Sequence, residues 1–257
     1  MINRAIVIRG KTWGARLQRR LNKPPVGITQ WIEQHTTPLR NEGGRYLGHY
    51  FMRDMSCYFK FYPRRYYLHV IPTLLRRGLP LRTFDTAMDL AANGVPVSRA
   101  LTCVLVSSGV IVVSEGLYEG GNYHEVWHSS PTQEQARLMM HEAGNTLAAS
   151  HNAGYVHRNC TWNSLLWSEQ QCFLVDLEQA RKPRFRRARH RAYDLACVAV
   201  EAESAAVPVA VFDEFVQAYV ELTKIDRATV LAGVKPVLEK LRARYRAQGR
   251  NLAQPVL

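Results

Sequence analysis

The sequence predicts an α+β fold in two parts, a small β-rich half followed by a larger helical half. Strand-like segments rich in tyrosine, phenylalanine and isoleucine dominate the first half, and helical periodicity dominates from about residue 132 onward. The chain has 257 residues, of which 47% are hydrophobic. That length and composition suit a globular protein with two lobes that flank a cleft.

The first half begins with a strand-like stretch over residues 28–71. Turn signals interrupt it at residues 41–44 and 53–56. The aromatic run at residues 57–62 contains a single lysine, Lys60. This lysine either faces a ligand or lies on an edge or a solvent face of the sheet, where one charge is tolerated.

A helix follows over residues 81–93, because apolar residues recur there at every third or fourth position and Gly94 provides a stop. Two further strands are predicted at residues 101–106 and 110–113, and a connector at residues 114–122.

Periodicity in the second half predicts four helices, over residues 132–151, 193–202, 211–223 and 229–247. We therefore divide the chain into a basic N-terminal arm, a β-rich lobe and a helical lobe, at residues 1–27, 28–116 and 117–257.

The net charge of +13 implies an anionic partner: nucleic acid, an acidic membrane surface or a phosphorylated substrate. Residues 1–27 contain lysines and arginines and no acid, so they either bind anionic lipid or form a solvated arm. A denser cluster at residues 181–191 either binds anions or forms a solvated loop. No helix-turn-helix, RNA-binding or zinc-finger motif is present, so we expect no specific nucleic acid partner.

The five cysteines are widely spaced and form no CxxC pair, which argues against disulfides and a zinc site and favours a reducing cytoplasm. No apolar run has the length of a membrane span, and the N-terminus lacks the apolar segment of a secretion signal. We therefore expect neither membrane insertion nor export.

The chemistry-bearing residues lie between the first two long helical patterns. Gly154 ends a helix, and His157, Arg158 and Asn159 follow it. A short apolar run later presents Asp176. Phosphoryl transfer requires this combination, because one loop orients the attacking hydroxyl and a carboxylate holds a metal on the phosphates.

These segments resemble the protein-kinase-like fold, and specifically its bacterial lipopolysaccharide kinase branch, the Kdo and core-heptose kinases. The resemblance covers residues 40–223. It implies that Lys60 contacts the phosphates of ATP. It also implies that backbone groups of Glu115 and Leu117, in the inter-lobe hinge, bind adenine, and that Gly43-Gly44 is the remnant of a glycine-rich loop.

The resemblance places His157, Arg158 and Asn159 at the His-Arg-Asp of the catalytic loop. His157 would then brace the loop and Asn159 would orient the acceptor hydroxyl. Asp176 follows Asn159 by 17 residues and corresponds to the aspartate that binds Mg²⁺. Asp194 corresponds to the aspartate that braces the catalytic loop.

Further implied candidates are weaker. Ser164 stands at the metal-binding asparagine position, with Asn163 one residue early. Glu178 supplies either a second carboxylate near the metal or a salt bridge to the arginines that follow. The basic cluster lies where kinases meet their acceptor, so the resemblance assigns acceptor binding to Arg184, Arg186, Arg187 and Arg189.

Two departures from the family pattern stand out. An amide at Asn159 accepts a hydrogen bond but cannot take a proton near neutral pH. The helix glutamate that should pair with Lys60 is missing: its place falls near Thr83, and the only nearby acids are Asp85 and Asp89.

The resemblance therefore implies an ATP- and Mg²⁺-dependent kinase acting on a sugar hydroxyl of the lipopolysaccharide inner core. Its acceptor would be the core glycolipid, and its location the cytoplasm, peripheral on the inner face of the inner membrane. The alternative is a pseudokinase that binds nucleotide or serves as a scaffold partner in core assembly.

Overall fold

The computed structural model describes residues 5–22, 27–42, 45–63, 78–117 and 120–257. The chain divides into two compact units. The first comprises Met1–Asp89 and Ser98–Tyr118, and the second comprises Leu90–Val97 and Glu119–Leu257. This division differs from the sequence-based one because the first 27 residues belong to the first unit and residues 90–97 belong to the second.

The first unit contains a six-stranded antiparallel sheet in the order β1-β5-β6-β4-β3-β2. Its strands are β1 (Ile6–Arg9), β2 (Thr36–Glu42), β3 (Arg45–Met52), β4 (Met55–Pro63), β5 (Ala100–Val106) and β6 (Gly109–Glu115). The helices described in this part of the chain are α1 (Lys11–Asn22), α2 (Ile28–His35) and α3 (Leu79–Ala92), the last of which continues into the second unit.

The described part of the N-terminal segment contributes a strand and a helix to the first unit, where its charge predicted a basic arm. Strand β1 pairs with β5, so that Ile6 lies opposite Leu105. Helix α1 buries Leu17 and Leu21 in the hydrophobic core. The apolar side of this basic segment therefore packs against the protein itself.

Residues 28–35 form helix α2, where the composition had predicted a strand. Ile28, Trp31 and Ile32 stand at helical spacing, and the last two are buried. The ring of Trp31 lies 5.6 Å from that of Tyr50 and 5.7 Å from that of Phe59. Aromatic and β-branched composition favours a strand, but the spacing of the buried residues decides for a helix. The predicted strand at 64–71 lies outside the described residues.

The second unit is mainly helical. Its elements in chain order are β7 (Gly121–Asn122), α4 (Tyr123–His128), α5 (Gln133–Asn152), a 3₁₀ turn (Trp162–Ser164), β8 (Leu165–Ser168), β9 (Gln171–Leu174), α6 (Arg187–Ser204), α7 (Val209–Thr223) and α8 (Arg227–Ala247). Strands β7, β8 and β9 form a small antiparallel sheet.

Helix α5 is the central helix of this unit. Thr132 caps its first turn by accepting a hydrogen bond from the backbone N–H of Gln135. A Cβ at Gly144 would lie 2.4 Å from the carbonyl oxygen of Phe215, so the glycine lets α5 and α7 approach backbone to backbone. In the part of the chain that is described, no helix combines the length and apolar character needed to cross a membrane.

Candidate functional site

The His-Arg-Asn loop, residues 157–159, is anchored at both ends. Helix α5 ends at Asn152, and Gly154 follows with a φ of +84°, which glycine adopts at little cost. Val156 forms an isolated β-bridge with Arg181, with N–O distances of 3.0 and 3.1 Å. The loop therefore leaves α5 in a fixed direction.

Asp194, on α6, clamps the loop backbone. Its fully buried carboxylate accepts hydrogen bonds from the N–H groups of His157 and Arg158, at 2.7 and 2.6 Å. Nε2 of His151 lies 3.3 Å from the same carboxylate, and Nδ1 of His151 lies 2.8 Å from the hydroxyl of Tyr219. A buried carboxylate is stable only when it is well hydrogen-bonded, so these donors fix Asp194 and the loop together. The clamp holds Arg158 at a φ of +67°, which non-glycine residues seldom adopt.

His157 links this loop to the end of strand β9. Its side chain is buried, and Nε2 lies 2.8 Å from the carbonyl oxygen of Val175, so Nε2 carries the proton and donates it. Within the described residues, Nδ1 has no hydrogen-bond partner. A buried imidazole in this position braces the residue before Asp176.

Asn159 is half-buried, and the loop uses its backbone rather than its side chain. Its carbonyl oxygen accepts hydrogen bonds from the N–H of Thr161 at 2.9 Å and from the hydroxyl of Ser164 at 2.8 Å. No other described residue bonds the side-chain amide, so it is available to a ligand.

The two residues predicted as further metal ligands, Ser164 and Asn163, lie in different surroundings. Ser164 is only 2% exposed, and its hydroxyl donates to the carbonyl of Asn159. Asn163 is exposed and lines a polar depression together with His124 and Glu201. The two side chains diverge because they lie in a 3₁₀ turn, where neighbouring residues project in different directions.

Asp176 lies just beyond strand β9, with an exposed side chain and a φ of +55°. The backbone N–H of its neighbour Val175 donates to the carbonyl of Ser164 at 3.0 Å, which ties the end of β9 to the 3₁₀ turn. Within the described residues, no group of three or more His, Cys, Asp or Glu side chains could hold a metal. Mg²⁺ needs only one or two carboxylates when phosphates and water complete its shell, so Asp176, with the half-buried Glu178 two residues further on, fits a phosphate-bound Mg²⁺.

Lys60 lies in the first unit, on an interior strand, because β4 pairs with β3 on one side and β6 on the other. Phe59 and Phe61 point into the core, so Lys60 projects from the opposite face of the sheet. Its Nζ lies 5.6 Å from the centre of the Tyr62 ring. This interior position excludes a lysine on a sheet edge, whereas a lysine on a solvent face of the sheet stays the alternative to a nucleotide contact.

The predicted hinge also lies in the first unit, and much of its backbone is already hydrogen-bonded. The N–H of Glu115 donates to the carbonyl of Arg99 at 2.9 Å, and the carbonyl of Glu115 accepts from the hydroxyl of Ser98 at 2.6 Å. Gly116 donates to Ser56. Adenine would therefore have to share the Glu115 carbonyl or use Leu117, whose backbone forms no such bond with another described residue.

The other nucleotide-site candidates are less informative. Gly43 and Gly44 lie outside the described residues. Asp85, one of the two acids considered for pairing with Lys60, bonds Arg9 at 3.0 Å instead.

The predicted acceptor-binding residues, Arg184, Arg186, Arg187 and Arg189, are all exposed at the start of α6.

Sequence reasoning missed a polar depression in the helical unit, with a volume of about 720 Å³. Its lining residues are Asn122, His124, Glu125, His128, Asn163, Glu201, Ser204, Arg250 and Asn251. Burial raises the pKa of Glu201, but contacts with His124 and Tyr245 lower it by more, so the net shift is downward. Nε2 of His124 lies 2.6 Å from Glu201. The available signal was Glu201, one of two acids in the otherwise apolar stretch 195–203 of α6.

Comparisons with known proteins agree with this geometry. No curated protein matches the sequence. The fold is similar to that of a solved structure described as WaaP in complex with acyl carrier protein, with a TM-score of 0.62 over 93% of this chain and 99% of that one, at 18% sequence identity. This likeness confirms the predicted two-lobed, protein-kinase-like fold. The model of the lipopolysaccharide kinase (Kdo/WaaP) family matches residues 30–219, which include Lys60, the His-Arg-Asn loop and Asp176, and the chain therefore belongs to that family.

Proposed function

We propose that this protein transfers a phosphoryl group from ATP to a sugar hydroxyl of the lipopolysaccharide inner core. Membership of a kinase family supports phosphoryl transfer from ATP. The observation that carries the proposal is the clamped His-Arg-Asn loop, since Asp194 fixes its backbone while the Asn159 amide makes no side-chain bond to another described residue.

In this proposal a basic side chain binds the phosphates of the nucleotide, and an acidic side chain binds its metal ion. Lys60 binds the phosphates of ATP through its ammonium group. Asp176 would hold Mg²⁺, which supplies neutralisation of the phosphate charge when bound. His157 keeps the backbone before Asp176 in place through its bond to Val175.

Asn159 orients the acceptor by accepting a hydrogen bond from the attacking hydroxyl. Its amide cannot take the proton, but a loose transition state lets the proton leave late, to an oxygen of the transferred phosphoryl group or to water, after most of the bond to the leaving group has broken. Turnover through an amide is expected to be slow.

The exposed arginines at the start of α6 would bind the anionic groups of the acceptor. Lipopolysaccharide core sugars carry carboxylates and phosphates, and a guanidinium binds such groups through two parallel hydrogen bonds. We propose Arg184, Arg186, Arg187 and Arg189 for this role.

A second candidate function is a pseudokinase that binds nucleotide or serves as a scaffold in core assembly. Two observations favour it. Asn159 replaces the usual base, and the Ser164 hydroxyl is occupied by the loop carbonyl. Tight nucleotide binding without turnover on any core acceptor would identify it.

The first test is ATP binding with and without Mg²⁺, on the wild type, Lys60→Ala and Asp176→Ala. Matched controls are Lys240→Ala, an exposed lysine of α8, and Asp213→Ala, a half-exposed aspartate of α7. Mg²⁺-dependent binding that both site variants lose and both controls retain supports the nucleotide site. Equal binding by all variants would overturn the assigned roles. No binding by the wild type would favour a scaffold.

Turnover is then tested on purified core glycolipid. Phosphate transferred to a sugar hydroxyl supports the kinase, whereas ATP binding without transfer to any core acceptor supports the pseudokinase.

A further inference from the structure

The arginine loop, residues 181–189, combines exposed cations with an exposed aromatic ring. Phe185 is 80% exposed, whereas the next most exposed large apolar side chain in the described residues, Phe51, is 57% exposed. Exposed cations surround Phe185 on both sides, namely Arg181, Lys182, Arg184, Arg186, Arg187 and Arg189.

The fold holds this loop in shape, so the exposure of Phe185 is built in. Arg181 forms the β-bridge with Val156, and Pro183 is buried. Nε of Arg187 donates to the carbonyl of Pro183 at 3.2 Å, which closes the turn around Phe185. A ring held outward in this way costs hydrophobic free energy in water, and a partner that covers it would recover that free energy.

The positive charge of the loop is not balanced locally. Residues 179–193 contain no acid. Across the described chain, no carboxylate lies within 4.0 Å of Arg184, Arg186 or Arg189. Burial lowers the pKa of the neighbouring His190, and the cations Arg158 and Arg181 lower it further, as expected where positive potential is high.

The described part of the N-terminal segment, the other basic candidate for lipid binding, buries the apolar side of its helix and leaves only Ile6 of its large apolar residues exposed. Leu17 and Leu21 are in the core, and Arg9 is paired with Asp85. Attachment to a bilayer needs both an apolar contact and charge, and the arginine loop offers both on one surface.

We propose that the arginine loop docks this protein on an anionic bilayer, with Phe185 inserted at the headgroup boundary and the arginines on lipid phosphates. The proposal rests on the proposed function, because the glycolipid acceptor lies in such a bilayer, and the loop would meet acceptor and headgroups on the same surface. An exposed aromatic ring favours a bilayer over a free phosphate, which has no apolar part to cover it.

The test is co-sedimentation of the full chain with vesicles, without ATP or acceptor, so that its result is independent of catalysis. We expect binding to vesicles with about 30% phosphatidylglycerol and not to phosphatidylcholine vesicles. Phe185→Ser should weaken binding about tenfold, and the double variant Arg184→Glu/Arg186→Glu more than tenfold. The matched controls are Phe51→Ser, on β3, and Lys240→Glu/Arg246→Glu, which makes the same charge change on α8. Both should change binding less than twofold.

Insertion is measured separately with a fluorophore at position 185. All five native cysteines are buried, so Phe185→Cys provides the accessible thiol for an environment-sensitive label. We expect a blue shift on anionic vesicles that labelled Phe51→Cys does not show. Equal binding by Phe185→Ser and Phe51→Ser, or no shift at position 185, would overturn bilayer docking and leave a loop that binds soluble anions.

Discussion

At the scale of single residues, the proposed reaction gives Asn159 the role of orienting the acceptor hydroxyl. The amide occupies the position where a carboxylate would act as base, and its backbone is fixed by the bonds from Thr161 and Ser164. Because the loop geometry does not depend on the side chain, a carboxylate can replace the amide without moving the backbone.

We therefore predict that Asn159→Asp raises kcat by about a hundredfold, the lower end of what a positioned base contributes. Steady-state kinetics on the core glycolipid measure this change. Asn163→Asp, the same substitution at an exposed position of the next turn, serves as the control and should leave kcat unchanged. A turnover number that stays the same in Asn159→Asp would contradict the orienting role.

The buried His151 gives the fold a dependence on pH. Burial lowers its pKa, and the raising effect of Asp194 offsets this only in part. Between that lowered pKa and the ordinary value near 6.5, the unfolded chain binds more protons than the folded one. The contribution of neutral His151 to the free energy of unfolding is therefore fully present above about pH 6.5. It falls as the pH drops below that value.

We predict that the free energy of unfolding decreases from about pH 7 to about pH 5.5, by no more than about 1.4 kcal/mol per pH unit from this group. Urea denaturation at several pH values measures the slope. The pKa of His190 is also lowered, mainly by burial, and contributes in the same direction, so His190→Asn should keep most of the slope. A flat profile over this range would show that His151 titrates normally.

At the scale of elements, periodicity predicted most of the chain and composition misled where the two disagreed. The predicted helix at 81–93 is α3, Leu79–Ala92, and Gly94 ends it with a φ of +74°. In contrast, α2 was predicted as a strand because aromatic and β-branched residues dominate it. Strand β1 could not be predicted, since its partner β5 lies almost a hundred residues away and no local pattern encodes that pairing.

The same division holds for the candidate site. The order of the His-Arg-Asn loop, Asp176 and Asp194 is a local pattern that the sequence carries. The Ser164 hydroxyl donates a hydrogen bond to the carbonyl of Asn159, and this bond fixes the direction of the side chain. The spacing of residues along the sequence does not reveal that direction.

A buried ion pair joins α6 and α8, beside the bond between Tyr245 and Glu201. Arg242 of α8 donates to both carboxylate oxygens of Glu203 on α6, and the two side chains are 10% and 1% exposed. The N–H of Val256 also donates to Glu203, at 3.1 Å, so the same carboxylate holds the C-terminal segment. Removing one partner would leave an uncompensated buried charge.

We predict that Arg242→Met lowers the free energy of unfolding by about 3 kcal/mol or more. Arg246→Met, an exposed arginine one turn further along α8, should change it by less than about 0.5 kcal/mol. Chemical denaturation of both variants measures the difference. Equal effects would mean that the ion pair contributes nothing beyond the helix itself.

At the scale of the whole molecule, the excess of basic residues sets how stability responds to salt. Thirteen positive charges remain even if every acid is paired, since the net charge is +13. Several pairs are at the surface, such as Arg9–Asp85 and Arg227–Asp213, and such pairs contribute about 0–1 kcal/mol each. Repulsion among the unpaired cations opposes these small gains and grows with the compactness of the fold.

We predict that repulsion dominates, so that raising NaCl from about 0.02 to about 0.3 M increases the Tm by about 2–4 °C, as screening removes more repulsion than attraction. Thermal denaturation measures this shift. Arg184→Glu/Arg186→Glu should reduce it, because it lowers the net charge where carboxylates are absent nearby. Screening of the surface ion pairs acts in the opposite direction, so a Tm that falls with salt would mean that paired charges outweigh the surplus.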